Sequence, residues 1–581
     1  MIGTYAAVLA VCGASLAMGQ AAISLCGIRR WCWLAPAVGL ALLCAICWAT
    51  VRMPGHGTIS AVAVLVLTVA AAVYLRGRVE GGGEALRAGL PVAVVALFAA
   101  SLPFVVEGHF GILGTGFNPD MSQHLLATDR LAGGAGSQLL HQGYPLGPHA
   151  IAVALNKGLG IGLVQGFSGL TVAAAVLAPL TALTAFDDQP RLRRTAAALL
   201  VGVPYLVASY FAQGAFKETI QALFVLAFVL ALRESTRTWQ DLPLRFVPAA
   251  ILAIGSVYVY SFPGLIWLAT ILLIWLLLTR SLPVRPLLLA SIVFAVGALP
   301  ELGRMIDFHN FETFDPNGPG LGNLFGQVSP FTALGIWPSG DFRLAPGDGA
   351  VPAFVYYLGA AFAAVLLVYG LIFCLRRRER TVLAGVLAVA LLYAAARLGG
   401  TPYTSAKALE LAAPVLTLAI MLPLAPPGRL IGGMRRKGAP SVALVLYLLA
   451  AGVCTLLAFA NAPVGPTSYS PALTGLRPLL ATGSTLFLAP ESLLEEEQGA
   501  RYVAWELRGG RVCIEPEGAA GGRPPSGVRF VVIADAAERA PFRGLRLRRH
   551  TGPYLLWERR GPVAGPSDCP LIAERQARQG P

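Results

Sequence analysis

Charge is scarce in this chain. Of its 581 residues only 13% are Asp, Glu, Lys or Arg, whereas 56% are hydrophobic and the mean hydropathy is +0.67. No soluble domain hides that much apolar surface. Runs of about 20 apolar residues recur along the sequence, the length needed to cross a hydrocarbon core. The chain therefore reads as a polytopic α-helical membrane protein. Other signatures are missing too. No histidine pair has the tight spacing of a metal motif such as HExxH, and no repeat recurs with a fixed period. The Gly-Gly-Gly at 81–83 lacks the strand and spacing of a dinucleotide fold. The first apolar run, 2–27, has no basic n-region and is long enough to span, so a retained helix is expected rather than a cleaved leader.

Acidic residues are scarcer than basic ones, 30 against 44, which leaves a net charge of +14. The distribution of that charge points away from nucleic acid, because the basic residues gather in short loops between apolar runs. Fourteen transmembrane helices are expected, near 3–27, 32–51, 58–75, 89–106, 163–186, 195–212, 217–232, 246–260, 262–278, 286–300, 351–375, 381–397, 410–425 and 440–461. With the N-terminus outside, the inward loops carry 21 Lys and Arg in 63 residues and the outward segments 8 in 141. That bias puts the loops 107–162 and 301–350 and the C-terminal tail on the outer side. Three blocks follow: three additional N-terminal helices in 1–88, a transmembrane core in 89–462, and a small extracytoplasmic α/β domain in 463–581. The tail alternates short apolar stretches with turn-rich connections, as such a domain would. Seven of the nine cysteines lie in or beside apolar runs, where a thiol acts as a small hydrophobe; Cys513 and Cys569 lie in the tail and are candidates for pairing.

With polar residues so few, their concentration in one loop needs a reason. Segment 107–149 holds four of the seven histidines, His109, His124, His141 and His149, together with Asp120, Asp129 and Arg130. A short helix is expected near 121–131, capped by Asn118 or Asp120. Asp120 and His124, four apart, would share one face of it. A carboxylate there suits a general base that takes a proton from an acceptor hydroxyl; it equally suits a helix cap. His141, Tyr144 and His149 surround Pro145 and Pro148, which bar an ordinary helix through the turn. These histidines suit contacts to sugar or phosphate, and a divalent metal is possible without a specific motif for it. Lys217 and Glu218 open a span, where a lysine either snorkels or meets a phosphate. Lys407 follows a Gly-Gly-Thr-Pro opening and has the same two roles open to it. The Gly-, Pro- and aromatic-rich loop 301–350, with Arg304, His309 and Arg343, is expected to lie over a cavity.

The acidic residue of the Asn118–His124 stretch, NPDMSQH, lies in the first long outer loop after the 89–106 span. With the Tyr144–Pro145 turn, the many spans beyond and the tail ending HTGPYLLWERRGP, this layout resembles the GT-C superfamily of membrane glycosyltransferases, over roughly 89–581. The resemblance is one of architecture with a degenerate motif. It implies transfer of a sugar from a polyprenyl-phosphate-linked donor to a glycan or lipid-linked acceptor outside the cytoplasm, with Asp120 as base. It further implies a multi-pass protein of the plasma (inner) membrane whose partners are the donor, the acceptor and the bilayer. Lys217, Arg304 and Lys407 are the candidate phosphate ligands. Three additional spans precede the expected first one, and the paired acidic motif is absent because Met121 follows Asp120. Two other classes use similar layouts: a lipid-linked glycan polymerase or ligase working through Arg304, His309 and Arg343, and a transporter or non-catalytic envelope protein.

Overall fold

Lipid offers no hydrogen bonds, so long apolar runs close theirs internally as helices. In the computed structural model the described residues are all except 119, 135–137, 188, 280–282, 311–319, 425–441, 468–469, 481–482, 491–501, 504, 509–510, 535–538 and 564–581. The helices are α1 (Ile2–Leu25), α2 (Ala35–Val51), α3 (His56–Leu75), α4 (Gly82–Val106), α5 (Met121–Ala132), α6 (Gln138–His141), α7 (Gly147–Leu159), α8 (Leu163–Ala182) and α9 (Arg191–Gly202). They continue with α10 (Tyr205–Ala212), α11 (Phe216–Arg237), α12 (Val247–Leu278), α13 (Val284–Ala298), α14 (Leu302–His309), α15 (Ala353–Arg377), α16 (Arg380–Gly399), α17 (Pro402–Met421) and α18 (Val442–Ala460). Among the described residues nine helices are long and apolar enough to cross a membrane, or ten if the bent α9–α10 pair is one span. The chain is a polytopic helical membrane protein with a small sheet region at its C-terminal end.

The expected spans fall on described helices, but 195–212 is the pair α9 and α10, bent by 53° at their break. The spans placed on either side of Pro263 are two helical segments that run on as α12 across a kink at Ser261 (φ 57°, ψ −152°). Pro263 cannot donate to the helix ladder, and Gln221 of α11 props the bend. Its Nε2 donates to the Gly264 carbonyl at 3.3 Å, and its Oε1 accepts from Ser256 Oγ at 2.9 Å. A further difference is α7. The segment read as the end of an outer loop is a buried 13-residue helix with Pro148 in its first turn.

The chain divides into two units, 1–117 with 131–464, and 118–130 with 465–581. In the first unit α8, α11 and α17 form the centre and are buried over most of their lengths. Helix α3 instead leaves Leu65 and Val66 exposed, the face a lipid tail would cover. Helices α1 and α2 touch through glycines: a Cβ on Gly39 would stand 1.8 Å from the Ser15 carbonyl oxygen. Such close approach is how helices associate where lipid removes the hydrophobic drive.

The described part of loop 301–350 is folded. Asn323 Nδ2 donates to Gln213 Oε1 and to the Phe117 carbonyl, both at 2.8 Å, and Gln327 Nε2 donates to Ser405 Oγ at 2.7 Å. Arg343 pairs with Asp341 at 2.7 Å and lies over the rings of Phe117 and Phe325. Trp337 is buried edge-on to Tyr356 of α15. This segment therefore covers the ends of α10, α15 and α17.

The second unit holds a five-stranded mixed sheet. Its strands are β1 (Ser484–Ala489), β2 (Arg511–Pro516), β3 (Val528–Ile533), β4 (Leu545–Thr551) and β5 (Tyr554–Arg559), in the order β2-β1-β3-β5-β4. β1 lies parallel to β2 and β3, whereas β5 is antiparallel to β3 and β4. Alternate side chains feed two cores, one around Phe487, Phe530 and Leu556 and the other around Leu486, Val531 and Trp557. Cys513 on β2 is not among the free thiols, and Cys569 lies outside the described residues.

Candidate functional site

In the first unit the starts of α11 and α17 bring Lys217, Glu218 and Lys407 together. Gly214, with φ +68°, turns the chain from α10 into α11 and places Lys217 and Glu218 in the first helical turn. On α17, Pro402 occupies the first turn and the Thr401 side chain accepts from the Thr404 N–H, which fixes the helix start. Lys407 follows one turn later. Its Nζ lies 3.0 Å from Glu218 Oε1, which Tyr260 OH approaches at 3.4 Å. Both lysines also lie against tyrosine rings. Lys217 Nζ is 3.8 Å from the Tyr144 centroid and 5.7 Å from that of Tyr260, and Lys407 Nζ is 4.4 Å from that of Tyr403. Ring faces attract a desolvated ammonium group. Glu218 thus feels two cations, Lys407 and Lys217, in a buried setting.

Tyr144 is held from behind. Its carbonyl accepts from Arg304 Nη2 at 2.6 Å, and the Leu140 carbonyl accepts from Arg304 Nη1 at 2.9 Å. Arg304 also pairs with Glu301 at 3.1 Å and stacks on Trp48. Its guanidinium clamps the Leu140–Tyr144 turn and thereby fixes the ring under Lys217. His149, fully buried in the first turn of α7, packs edge-on to Phe167, Phe216 and Tyr144. Glu410, one turn beyond Lys407, is fully buried, and neither carboxylate oxygen has a hydrogen-bond partner among the described residues. The charged groups acting on it are Glu218 and Lys407.

Of the sequence candidates, Tyr144, His149, Lys217, Glu218 and Lys407 share this neighbourhood, with Arg304 behind it. His141 is exposed at the end of α6 and is not among these contacts. Asp120 and His124 belong to the second unit. The Asp120 N–H donates to Asn118 Oδ1 at 3.0 Å and its carbonyl accepts from the His124 N–H at 3.0 Å, a local start for α5. Asp129, on the same helix, pairs with Arg508 at 3.4 Å. Burial raises the Asp129 carboxyl above its usual range, with Arg508 pulling the other way, and burial holds Arg508 at about 10. Tyr260 is a member of the neighbourhood that sequence reasoning missed. Its signal was the Tyr-Ser-Phe-Pro run, which marks a break inside an otherwise continuous apolar stretch. No group of three metal-ligating side chains occurs among the described residues.

Solved structures offer a comparison at the level of outline. The chain is similar to ArnT from Cupriavidus metallidurans, in a crystal structure bound to undecaprenyl phosphate and in one of the apo state. Each match covers 84% of this chain and 100% of that one, with 13% identity and a TM-score of 0.45. No residue role follows from so distant a likeness. No family model and no curated protein matches the chain.

Proposed function

We propose that the chain is a membrane glycosyltransferase that moves a sugar from a polyprenyl-phosphate-linked donor to a cell-envelope acceptor outside the cytoplasm. The observation that carries this reading is the pair of lysines, Lys217 buried and Lys407 about three-quarters covered, set about Glu218 at the starts of two helices of a membrane bundle. A lipid-borne phosphate needs cations at the depth where its tail still lies in lipid, and buried ammonium groups are strong phosphate ligands there. The positive ends of the two helix dipoles have the right sign as well.

In the reaction, the acceptor oxygen forms a bond to the anomeric carbon while that carbon's bond to the phosphate oxygen breaks. Polyprenyl phosphate leaves carrying the electron pair, and Lys217 and Lys407 stabilise the charge that develops on it. The acceptor's proton is assigned to Asp120 on the sequence pattern alone. Glu410 offers an acceptor for a sugar hydroxyl, which would relieve a buried carboxyl group of its lack of donors. Tyr144 and Tyr260 hold Lys217 in place, and Arg304 acts through Tyr144 as a positioning residue.

The test is sugar transfer by purified protein in liposomes, using radiolabelled polyprenyl-phosphate sugars and membrane glycan acceptors. The proposal expects labelled acceptor, with a loss of at least a hundredfold in Lys407→Gln and in Asp120→Ala. Unchanged turnover in Asp120→Ala removes that carboxylate from the chemistry. Label that crosses the vesicle without joining an acceptor overturns the transferase reading in favour of transport.

A further inference from the structure

Arginines of the second unit crowd around one carboxylate. Glu558, on β5, is buried and pairs with Arg546 at 2.8 Å, Arg529 at 3.3 Å and Arg548 at 3.8 Å. Arg559 and Arg560 follow it in sequence; the Arg559 Nη2 donates to the Pro524 carbonyl at 2.9 Å. Over this cluster lies a groove of about 860 Å³, whose walls include Ser484, Arg529, Arg546, Arg559, Arg560 and Glu558. Four of those side chains are cationic and one is anionic, so the walls carry a clear positive excess.

A basic edge strand is a common protection against sheet-to-sheet association, and that explains Arg548 and Arg549 on β4. It does not explain Arg529, which lies on β3, an interior strand of the sheet. Glycine makes room for this arginine: a Cβ on Gly483 would stand 2.8 Å from Arg529 Cδ. The left-handed turns at Gly527 (φ +72°) and Gly561 (φ +100°) form further wall. The groove is therefore concave, lined by planar guanidinium groups, and of the size that encloses small ligands.

We infer that this groove binds an anionic saccharide, a sugar carrying carboxylate or phosphate groups. Guanidinium forks match both groups in bidentate fashion. Ser484 adds a hydroxyl for the sugar's own hydroxyls, and Gly483 and Gly527, which carry no side chains, line the groove beside it. The concavity favours an inserted sugar over a flat bilayer surface. The site lies wholly within the second unit and shares no residue with the transfer chemistry proposed above. It gives the protein a glycan-holding function that survives loss of Lys407.

The experiment uses the full chain in phosphatidylcholine nanodiscs, with tetragalacturonate as the probe, maltotetraose as its neutral counterpart, and calorimetry with hydrogen exchange as readouts. Tetragalacturonate is expected to bind, to weaken with added NaCl, and to protect 528–533 and 554–559 from exchange; maltotetraose is expected to do neither. Arg529→Gln with Arg546→Gln should weaken binding at least tenfold, whereas Arg549→Gln should leave it unchanged. If the double variant melts abnormally, Arg560→Gln provides the same test, with a loss of at least threefold expected. Equal binding of maltotetraose, or undiminished binding by a normally folded groove variant, overturns the inference. So does protection that arises only with phosphatidylglycerol nanodiscs and no saccharide, which would assign the arginines to the membrane surface.

Discussion

Replacing Glu218 by Gln probes the centre of the proposed phosphate site. The substitution keeps the size of the side chain and removes its charge. Lys407 then faces a neutral amide instead of a carboxylate at 3.0 Å, with the Tyr403 ring as its other support. Removing one partner of a fully buried pair costs about 3–5 kcal/mol. The Lys407 side chain keeps about a quarter of its surface accessible, so some solvent screens it and about 2–3 kcal/mol is the expected loss. Tyr260 OH loses a charged acceptor as well, worth roughly 1 kcal/mol. The assay is a double-mutant cycle of Glu218→Gln and Lys407→Met, read by denaturant unfolding in detergent. Coupling of at least about 1.5 kcal/mol is expected, because the double variant leaves no orphaned charge. Additive effects, within about 0.5 kcal/mol, would falsify the pairing on which the site is built.

Three further outcomes follow from other parts of the molecule. Ser261 occupies a backbone region nearly confined to glycine (φ 57°, ψ −152°), so Ser261→Gly should stabilise the protein by about 1 kcal/mol; a lower melting temperature in this variant would mean the Ser261 side chain matters more than its backbone. Glu410→Gln should lower kcat/KM for a sugar-loaded donor about two- to tenfold, the worth of one hydrogen bond, while leaving binding of undecaprenyl phosphate unchanged. Loss of both, or of neither, would refute a sugar-hydroxyl contact. The hydrogen bond from Arg546, with Arg529 beside it, holds the Glu558 carboxyl below its ordinary value of 4.5. A depressed carboxylate contributes stability that is complete above its unfolded value and is lost as pH falls through the lowered one. Thermal melting of the full chain should therefore weaken below about pH 4.5, and Glu558→Gln should flatten that fall; an unaltered slope would remove Glu558 as its cause.

The bundle was legible because its signal is length and hydropathy, and each expected span falls on helix, although two share α12 and 195–212 is the bent pair α9 and α10. The bend in α12 was half legible. Pro263 announced a break, but that Ser261 would carry the positive φ and Gln221 the bracing depends on neighbours more than thirty residues away in sequence. Helix α7 was missed because it is too short to span, and its prolines suggested a loop although Pro148 fits a first helical turn. In the site, Lys217, Glu218 and Lys407 stood out because charge is expensive beside apolar runs. Their pairing was invisible, since nothing in spacing brings positions 218 and 407 together. Arg304 was conspicuous as a candidate phosphate ligand, whereas its bonds to the Leu140 and Tyr144 carbonyls show a clamp on the turn that carries Tyr144.

The central claim is that Lys217 and Lys407 hold the phosphate of a polyprenyl lipid. Native mass spectrometry of the purified protein with undecaprenyl phosphate tests it without requiring the sugar or the acceptor to be known. The account predicts a bound lipid on the wild type, at least tenfold weaker retention in Lys217→Gln and in Lys407→Gln, and no change in Arg549→Gln. Equal retention by both lysine variants, with their folds intact, would contradict it.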